Sequence, residues 1–141
     1  MLKQNIILDP KYKLVIFDCD QTLISETIFD DVFEIVKQFQ NYHINMAIAS
    51  YNPYAKWLCD RYDITKYFDI ICGYASNGKM KHIDEIKLYY RNRGINFNDS
   101  EIIFFDDDIK NFDAIKKLTN IKCIPVNPHK GITKDVIQLV I

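Results

Sequence analysis

Four short polar groups in this chain each follow an apolar run. Asp18-Cys19-Asp20-Gln21-Thr22-Leu23 comes after Lys13–Phe17, and Ser50 comes after Met46–Ala49. Ser76-Asn77-Gly78-Lys79 lies in a loop beyond Phe68–Ile71, and Asp106-Asp107-Asp108 follows Ile102–Phe105. These residue types bind a metal ion and a phosphoryl group. Carboxylates are hard oxygen donors that suit magnesium, and lysine offers a compact positive charge for phosphoryl oxygens. A carboxylate can also attack phosphorus and carry the group covalently. In extended chain, residues two apart share a face. Asp18 and Asp20 therefore project together while Cys19 projects the other way, which places Asp20 to move a proton for chemistry at Asp18. One acidic residue at a strand end is ordinarily a helix cap or a solvated loop residue. Four chemically compatible groups at four successive strand ends make a pattern.

The elements that must position these groups alternate between β-rich runs and helical stretches. Strands are expected at Lys13–Phe17, Met46–Ala49, Phe68–Ile71, Ile102–Phe105 and Ile121–Ile124. Between them, Val32, Ile35, Val36 and Phe39 recur at helical spacing behind a cap at Asp30 or Asp31. Asn52-Pro53 reads as an N-cap with proline at the first helical position, starting a helix that carries Trp57 and Leu58 inward. Lys81 to Arg93 reads as a helix ended by Gly94. A further helix runs through Phe112 and Ile115, and Thr133 caps a short C-terminal one. Strands alternating with helices predict an α/β fold with a central parallel sheet. Active sites of such sheets lie outside the carboxyl ends of the strands, where the four polar groups fall.

The ordered set Asp18-x-Asp20-x-Thr22, Ser50, Lys79 and Asp106-Asp107 resembles the four signature motifs of the haloacid dehalogenase (HAD) superfamily of phosphotransferases. Ile48-Ala49-Ser50, Lys79-Met80-Lys81-His82 and Ile103-Phe104-Phe105-Asp106-Asp107-x-x-x-Asn111 are similar to the small magnesium-dependent phosphatases that lack a large cap domain. The similarity runs from the first strand to about Gly131. It implies one three-layer Rossmann-like domain over residues 1–141, strand order 5-4-1-2-3, with the Lys13–Phe17 strand central. It also implies a phosphatase acting through an aspartyl-phosphate. In that scheme Asp18 is the nucleophile, Asp20 the general acid-base, and Ser50 and Lys79 hold the phosphoryl oxygens. Mg2+ is bound by Asp18, Asp107 and the Asp20 backbone carbonyl. Asp106 is expected to orient Asp107, and Asp108 to cap a helix. Asn111 is placed to bond a metal-bound water or to lie on a plain helix surface. Lys81 competes with Lys79 as the phosphate-binding lysine, although the pattern favours the residue before Met80. Thr22 and His82 read as structural, and Cys19 as a buried thiol beside the nucleophile.

Two departures border the substrate entrance. The segment Ile24–Phe29 is shorter than the aromatic-rich flap of comparable phosphatases, and Tyr51 stands where an arginine tends to follow the serine. With no cap the site should be open, which favours phosphate on a protein, such as phosphotyrosine, and admits small molecules such as sugar phosphates. An inactive HAD-fold binding module and a nucleotide or polynucleotide phosphatase are the alternatives. A receiver-like signalling domain would carry its acidic pair after the first strand and its phosphoacceptor after the third, the reverse of the order here.

Composition adds bounds. The 141 residues suit one domain. Lys and Arg total 18 against 19 Asp and Glu, so no charge excess steers the chain toward nucleic acid or an anionic membrane. Met1–Asn5 leads into too few apolar residues for a signal peptide, so a cytoplasmic location is expected. Cys19, Cys59, Cys72 and Cys123 form no C-x-x-C pair and read as reduced thiols. Oligomeric state leaves no mark in the sequence.

Overall fold

The computed structural model describes residues 8–138; the Met1–Asn5 leader reading lies outside them. Five strands form one parallel sheet: β1 (Leu14–Phe17), β2 (Asn45–Ser50), β3 (Ile70–Gly73), β4 (Ile102–Asp106) and β5 (Lys122–Pro125). Their order is β3-β2-β1-β4-β5, the expected order read from the other edge. The helices are α1 (Val32–Asn41), α2 (Ala55–Arg61), α3 (Met80–Arg91), α4 (Phe112–Leu118) and α5 (Lys134–Gln138).

Every residue of β1 is fully buried because helices cover both faces of the sheet. Alternation sorts its side chains: Val15 and Phe17 join the core under α1, α2 and α5, whereas Leu14 and Ile16 join the core under α3 and α4. Phe17 stacks on Phe105 at 5.6 Å and meets the edge of Phe68 at 6.1 Å, locking β1 to β4 across one face. Such pairs each contribute about 0.5–1.5 kcal/mol beyond area burial. Among the described residues no second domain is inserted over the sheet. Only a small loop with isolated bridges at Asp20–Ile24 and Ile24–Ile28 follows β1.

Several local readings shift. β3 starts at Ile70, because Phe68 closes a 3-10 turn by donating its N–H to the Thr65 carbonyl at 3.1 Å. Trp57 points outward and is 60% exposed, because Ala55 and Cys59, one turn apart, are the residues α2 buries. Asn52 is not the N-cap of α2: its Oδ1 accepts from Tyr54 N at 2.8 Å in the turn ahead, Tyr54 holds the cap position, and the helix begins at Ala55 rather than at Pro53. Asp31 does not cap α1 with its side chain; its Oδ2 accepts from Lys134 N at 3.0 Å and so serves the start of α5. Thr133 and Asp108 do cap, accepting from Val136 N at 3.2 Å and Lys110 N at 3.0 Å.

Candidate active site

The strand order reverses at β1: the chain steps from β1 to β2 on one side and later places β4 on the other. In open α/β sheets the crevice at such a switch point is where ligands bind. The register sets its floor. Phe17 pairs with Ile48 and with Phe105, so Asp18, Ala49 and Asp106 arrive at one level as three adjacent strands end. Asp18 continues the ladder by donating its N–H to the Phe105 carbonyl at 2.9 Å.

Lys79 rises into this floor from the loop before α3. Gly78 adopts φ +105°, a left-handed turn open to glycine and costly to other residues. That turn sends the Lys79 side chain inward, where it is almost fully buried. Its Nζ donates to Asp18 Oδ1 at 2.9 Å, to the Ala49 carbonyl at 2.7 Å and to Asp106 Oδ2 at 3.2 Å. An ammonium has three protons, so all of its donors are committed to the protein. Lys81, the competitor, is exposed, with its Nζ 5.5 Å from the Tyr74 ring centre.

Asp106 is buried and engaged on both oxygens. Oδ1 accepts from Asp108 N at 3.0 Å, and Oδ2 accepts from Asn111 Nδ2 at 2.8 Å as well as from Lys79. Asn111 is held in turn by the Tyr51 hydroxyl, which donates to its Oδ1 at 2.9 Å. The Tyr51 ring lies 4.7 Å from Lys79 Nζ and edge-on to His82, so it roofs the ammonium. His82 is buried, hydrogen-bonded through Nε2 to the Tyr74 carbonyl at 2.9 Å, and burial lowers its pKa. Thr22 is buried too. Its hydroxyl has no partner among the described residues, while its carbonyl accepts from Ile132 N at 2.7 Å.

Ser50 and Asp20 line the same small cavity, about 190 Å³ in volume. Ser50 Oγ accepts from Asn52 N at 3.0 Å, which leaves its own proton free for a ligand oxygen. Asp20 is exposed at the rim, where Asn52 Nδ2 donates to its Oδ1 at 3.2 Å. Gln21 turns the chain there with φ 63°. Sequence reasoning read Asn52 only as a cap. Its position two residues past Ser50 was the available signal that it also reaches the site. A larger hollow of about 470 Å³, between Leu8, Tyr12, Tyr42 and Ile44, holds no comparable cluster.

Asp18, Asp106 and Asp107 each offer an oxygen, all within 4.8 Å of one another. Three carboxylates against one ammonium leave excess negative charge in a poorly solvated place. Burial pushes the Asp18 carboxyl from its ordinary 3.8 up to about 8; Lys79 opposes this and Asp106 adds to it. Burial likewise raises Asp107. Lys79 is held above its usual value, because Asp18 and Asp106 outweigh the burial that would lower it. A hard divalent cation fits this all-oxygen donor set, and no histidine or cysteine competes for it. With both Asp106 oxygens engaged, Asp18 and Asp107 are the less committed ligands. Cys19 sits beneath, fully buried, and a contact with Cys59 together with burial pushes its thiol far above the usual range. Such a thiol is inert.

No protein-family model and no curated protein matches the chain. Solved structures do match the fold. A candidate phosphatase from Clostridium difficile superposes with a TM-score of 0.69 at 15% identity, covering 85% of this chain and 87% of that one. The N-terminal part of a Bacteroides fragilis protein, containing a phosphatase domain complexed with magnesium, gives 0.69 at 19% identity. There the match covers 93% of this chain and 41% of the other. A haloacid dehalogenase-like hydrolase from Streptococcus pneumoniae gives 0.61 at 12% identity, covering 92% and 91%. The architecture is therefore the haloacid dehalogenase-like α/β fold, as the motif resemblance implied. Among the described residues no helix is long and apolar enough to cross a membrane.

Proposed function

We propose that this protein is a magnesium-dependent phosphatase that hydrolyses phosphate monoesters through an aspartyl-phosphate on Asp18. The observation that carries this reading is the pairing of Asp18 Oδ1 with Lys79 Nζ at 2.9 Å at the switch point, with oxygens of Asp18, Asp106 and Asp107 all within 4.8 Å of one another. Two features of neighbours support it: the fold is shared with hydrolases, and one neighbour is complexed with magnesium.

Asp18 and Asp107 would hold the cation, with the Asp20 carbonyl beside them. Bound there, magnesium offsets the repulsion between a phosphate dianion and an anionic nucleophile. It also favours the charged form of Asp18 against the burial that raises its pKa. Lys79 fixes the attacking carboxylate in place and neutralises part of the charge around it. Ser50 donates its free proton to a phosphoryl oxygen. Asp20, at the rim and oriented by Asn52, protonates the departing alkoxide and then takes a proton from the water that hydrolyses the intermediate. In a loose phosphoryl-transfer transition state these positioning groups matter as much as the nucleophile. The open rim admits phosphate on a small molecule or on a protein side chain.

Asp20→Asn tests the mechanism. It removes proton transfer and keeps the backbone carbonyl. With an alkyl phosphate, turnover should fall by about a hundred- to ten-thousand-fold. With an aryl phosphate bearing a good leaving group, the first step should largely survive while hydrolysis of the aspartyl-phosphate slows. A burst of product equal to the enzyme concentration is expected. Equal losses with both substrates and no burst would remove Asp20 from the acid-base role.

A further inference from the structure

One carboxylate lining the active-site cavity has no part in the chemistry above. Asp108 lines it together with Asp18, Asp20, Asp106, Asp107 and Lys79. Asp108 is exposed; its Oδ1 accepts from Lys110 N at 3.0 Å, and its Oδ2 bonds nothing among the described residues. The rest of the lining is uncharged. Lys110, two residues past Asp108, does not belong to it, and among the described residues Lys79 is the one cation that does.

That cation has no proton left for a second anion. Lys79 commits all three to Asp18, Asp106 and the Ala49 carbonyl. The Tyr51 hydroxyl is spent on Asn111 Oδ1. Ser50 keeps a free proton, which suits one phosphoryl oxygen. Five carboxyl groups thus face one ammonium, and a divalent cation held by Asp18 and Asp107 would leave the lining still negative. The cavity, about 190 Å³, lies within one screening length, about 8 Å at physiological salt. A leaving group therefore meets this charge whichever way it points, and clefts lined by one sign of charge focus the field. The phosphoryl charge is offset by the bound divalent cation, whereas a second anionic group would find no counter-charge.

We infer that the substrate is the phosphate monoester of a small alcohol bearing a cation and no second anionic group, with Asp108 as the carboxylate that selects it; this rests on the phosphatase reading above. An aminoalkyl phosphate is the simplest member of the class. The cavity is smaller than the ~300–1,000 Å³ of pockets for drug-sized ligands, so it takes the phosphoryl group and a short chain. On hydrolysis the P–O bond to the alcohol breaks, the leaving oxygen takes the proton of Asp20, and water releases phosphate from Asp18. The ammonium of the alcohol takes no part in these steps and is read only as charge. Phosphorylated hydroxy acids and bisphosphates meet the same carboxylates and are rejected by them.

Phosphonates of similar length carry the test, because their C–P bond resists hydrolysis. Aminoethylphosphonate, propylphosphonate and phosphonopropionate are cationic, neutral and anionic at the far end. Each is titrated calorimetrically into the wild-type protein with magnesium, at a pH where all are phosphonate dianions. Affinity should fall in that order by about fivefold per unit of charge. The affinities should converge in about 1 M salt, where the screening length is about 3 Å. Asp108→Asn keeps an oxygen to cap Lys110 N; it should narrow the spread and leave the affinity for propylphosphonate unchanged. In turnover, kcat/KM for phosphoethanolamine should exceed that for propyl phosphate by about fivefold, and Asp108→Asn should shrink that advantage. Tightest binding of phosphonopropionate would overturn the inference. So would affinities indifferent to charge and salt while both esters are hydrolysed, a result that leaves the phosphatase reading standing. Charge-ordered binding without hydrolysis of either ester would keep the selectivity and remove the phosphatase reading. A higher kcat/KM for a lysine-flanked phosphoserine peptide than for phosphoethanolamine would overturn the assignment to a small alcohol.

Discussion

The floor of the site and its α2 rim lie one side chain apart, yet opposite physical terms hold them. The floor is Asp18, Lys79 and Asp106, all buried, with Lys79 bonded to both carboxyl groups. The rim is the half-buried Asn52 with the exposed aromatic residues Tyr54 and Trp57. The two carboxyl groups of the floor are fixed by the register of β1 against β4, so moving either means moving the sheet, and Lys79 is tied to both by its hydrogen bonds. The rim is fixed by the direction in which a seven-residue helix leaves β2, which can vary without touching the core. Substitutions should therefore cost stability at the floor and selectivity at the rim.

The largest expected effect is at Lys79. Lys79→Met keeps the length of the side chain and removes the charge between two buried carboxylates. Breaking a buried pair from one side costs about 3–5 kcal/mol, which for a domain of this size lowers the melting temperature by roughly 6–20 °C. Trp57→Ala, at the rim, should stay within about 0.5 kcal/mol. Thermal melts of the two variants without added metal measure the contrast. Similar shifts for both would mean that the floor is not a stability element.

This division also explains what the sequence could disclose. The strands and the four strand-end groups were legible because short apolar runs with polar ends mark buried parallel strands, whereas the strand order came only from the family resemblance of the motifs. Lys79 could be separated from Lys81 only by pattern; the structure adds the reason, a left-handed turn at Gly78 that buries one lysine and exposes the other. The direction of Trp57 was not legible. Ala55 and Cys59 bury well at small size, so α2 packs through its small residues, and hydrophobicity alone points the wrong way. Asp31 serves α5 across a hundred residues of chain, a partnership no local pattern contains.

A middle-sized effect comes from pH and magnesium together. Burial holds the Asp18 carboxyl near 8 in the metal-free protein, against 3.8 for the ordinary side chain. Between those values the folded chain keeps a proton that the unfolded chain has released. Metal-free stability from this group is therefore greatest at low pH and falls as pH rises toward about 8. Magnesium stabilises the charged form, so its benefit should grow over the same interval. At a hundred times its dissociation constant it should add about 2.7 kcal/mol, or roughly 5–10 °C in melting temperature. Asp18→Asn should flatten the metal-free slope and lose most of the magnesium shift, whereas Trp57→Ala should keep both. A magnesium shift that persists in Asp18→Asn would place the metal elsewhere.

The smallest expected effect lies where floor and rim meet, at Tyr51. Its hydroxyl holds Asn111 Oδ1 at 2.9 Å, and this decides which end of the amide faces Asp106. Asn111 then donates to the oxygen that also receives Lys79, so the phenol steadies the floor through two intermediaries. Tyr51→Phe keeps the ring over Lys79 and against His82 and removes only that hydrogen bond. The loss should be about 0.5–1.5 kcal/mol in stability. Because the ring remains, the lysine stays roofed and kcat should fall only a fewfold. Tyr51→Ala removes the ring as well and uncovers the ammonium, adding about 0.5–2 kcal/mol for the lost cation–π contact. If Tyr51 acts on the floor, both variants should weaken magnesium binding in equilibrium titrations, with the alanine variant weaker. If it belongs to the rim, magnesium affinity should hold while KM rises. Unchanged magnesium affinity in both variants would move Tyr51 out of the network that positions Asp106 and into the substrate entrance with Asn52.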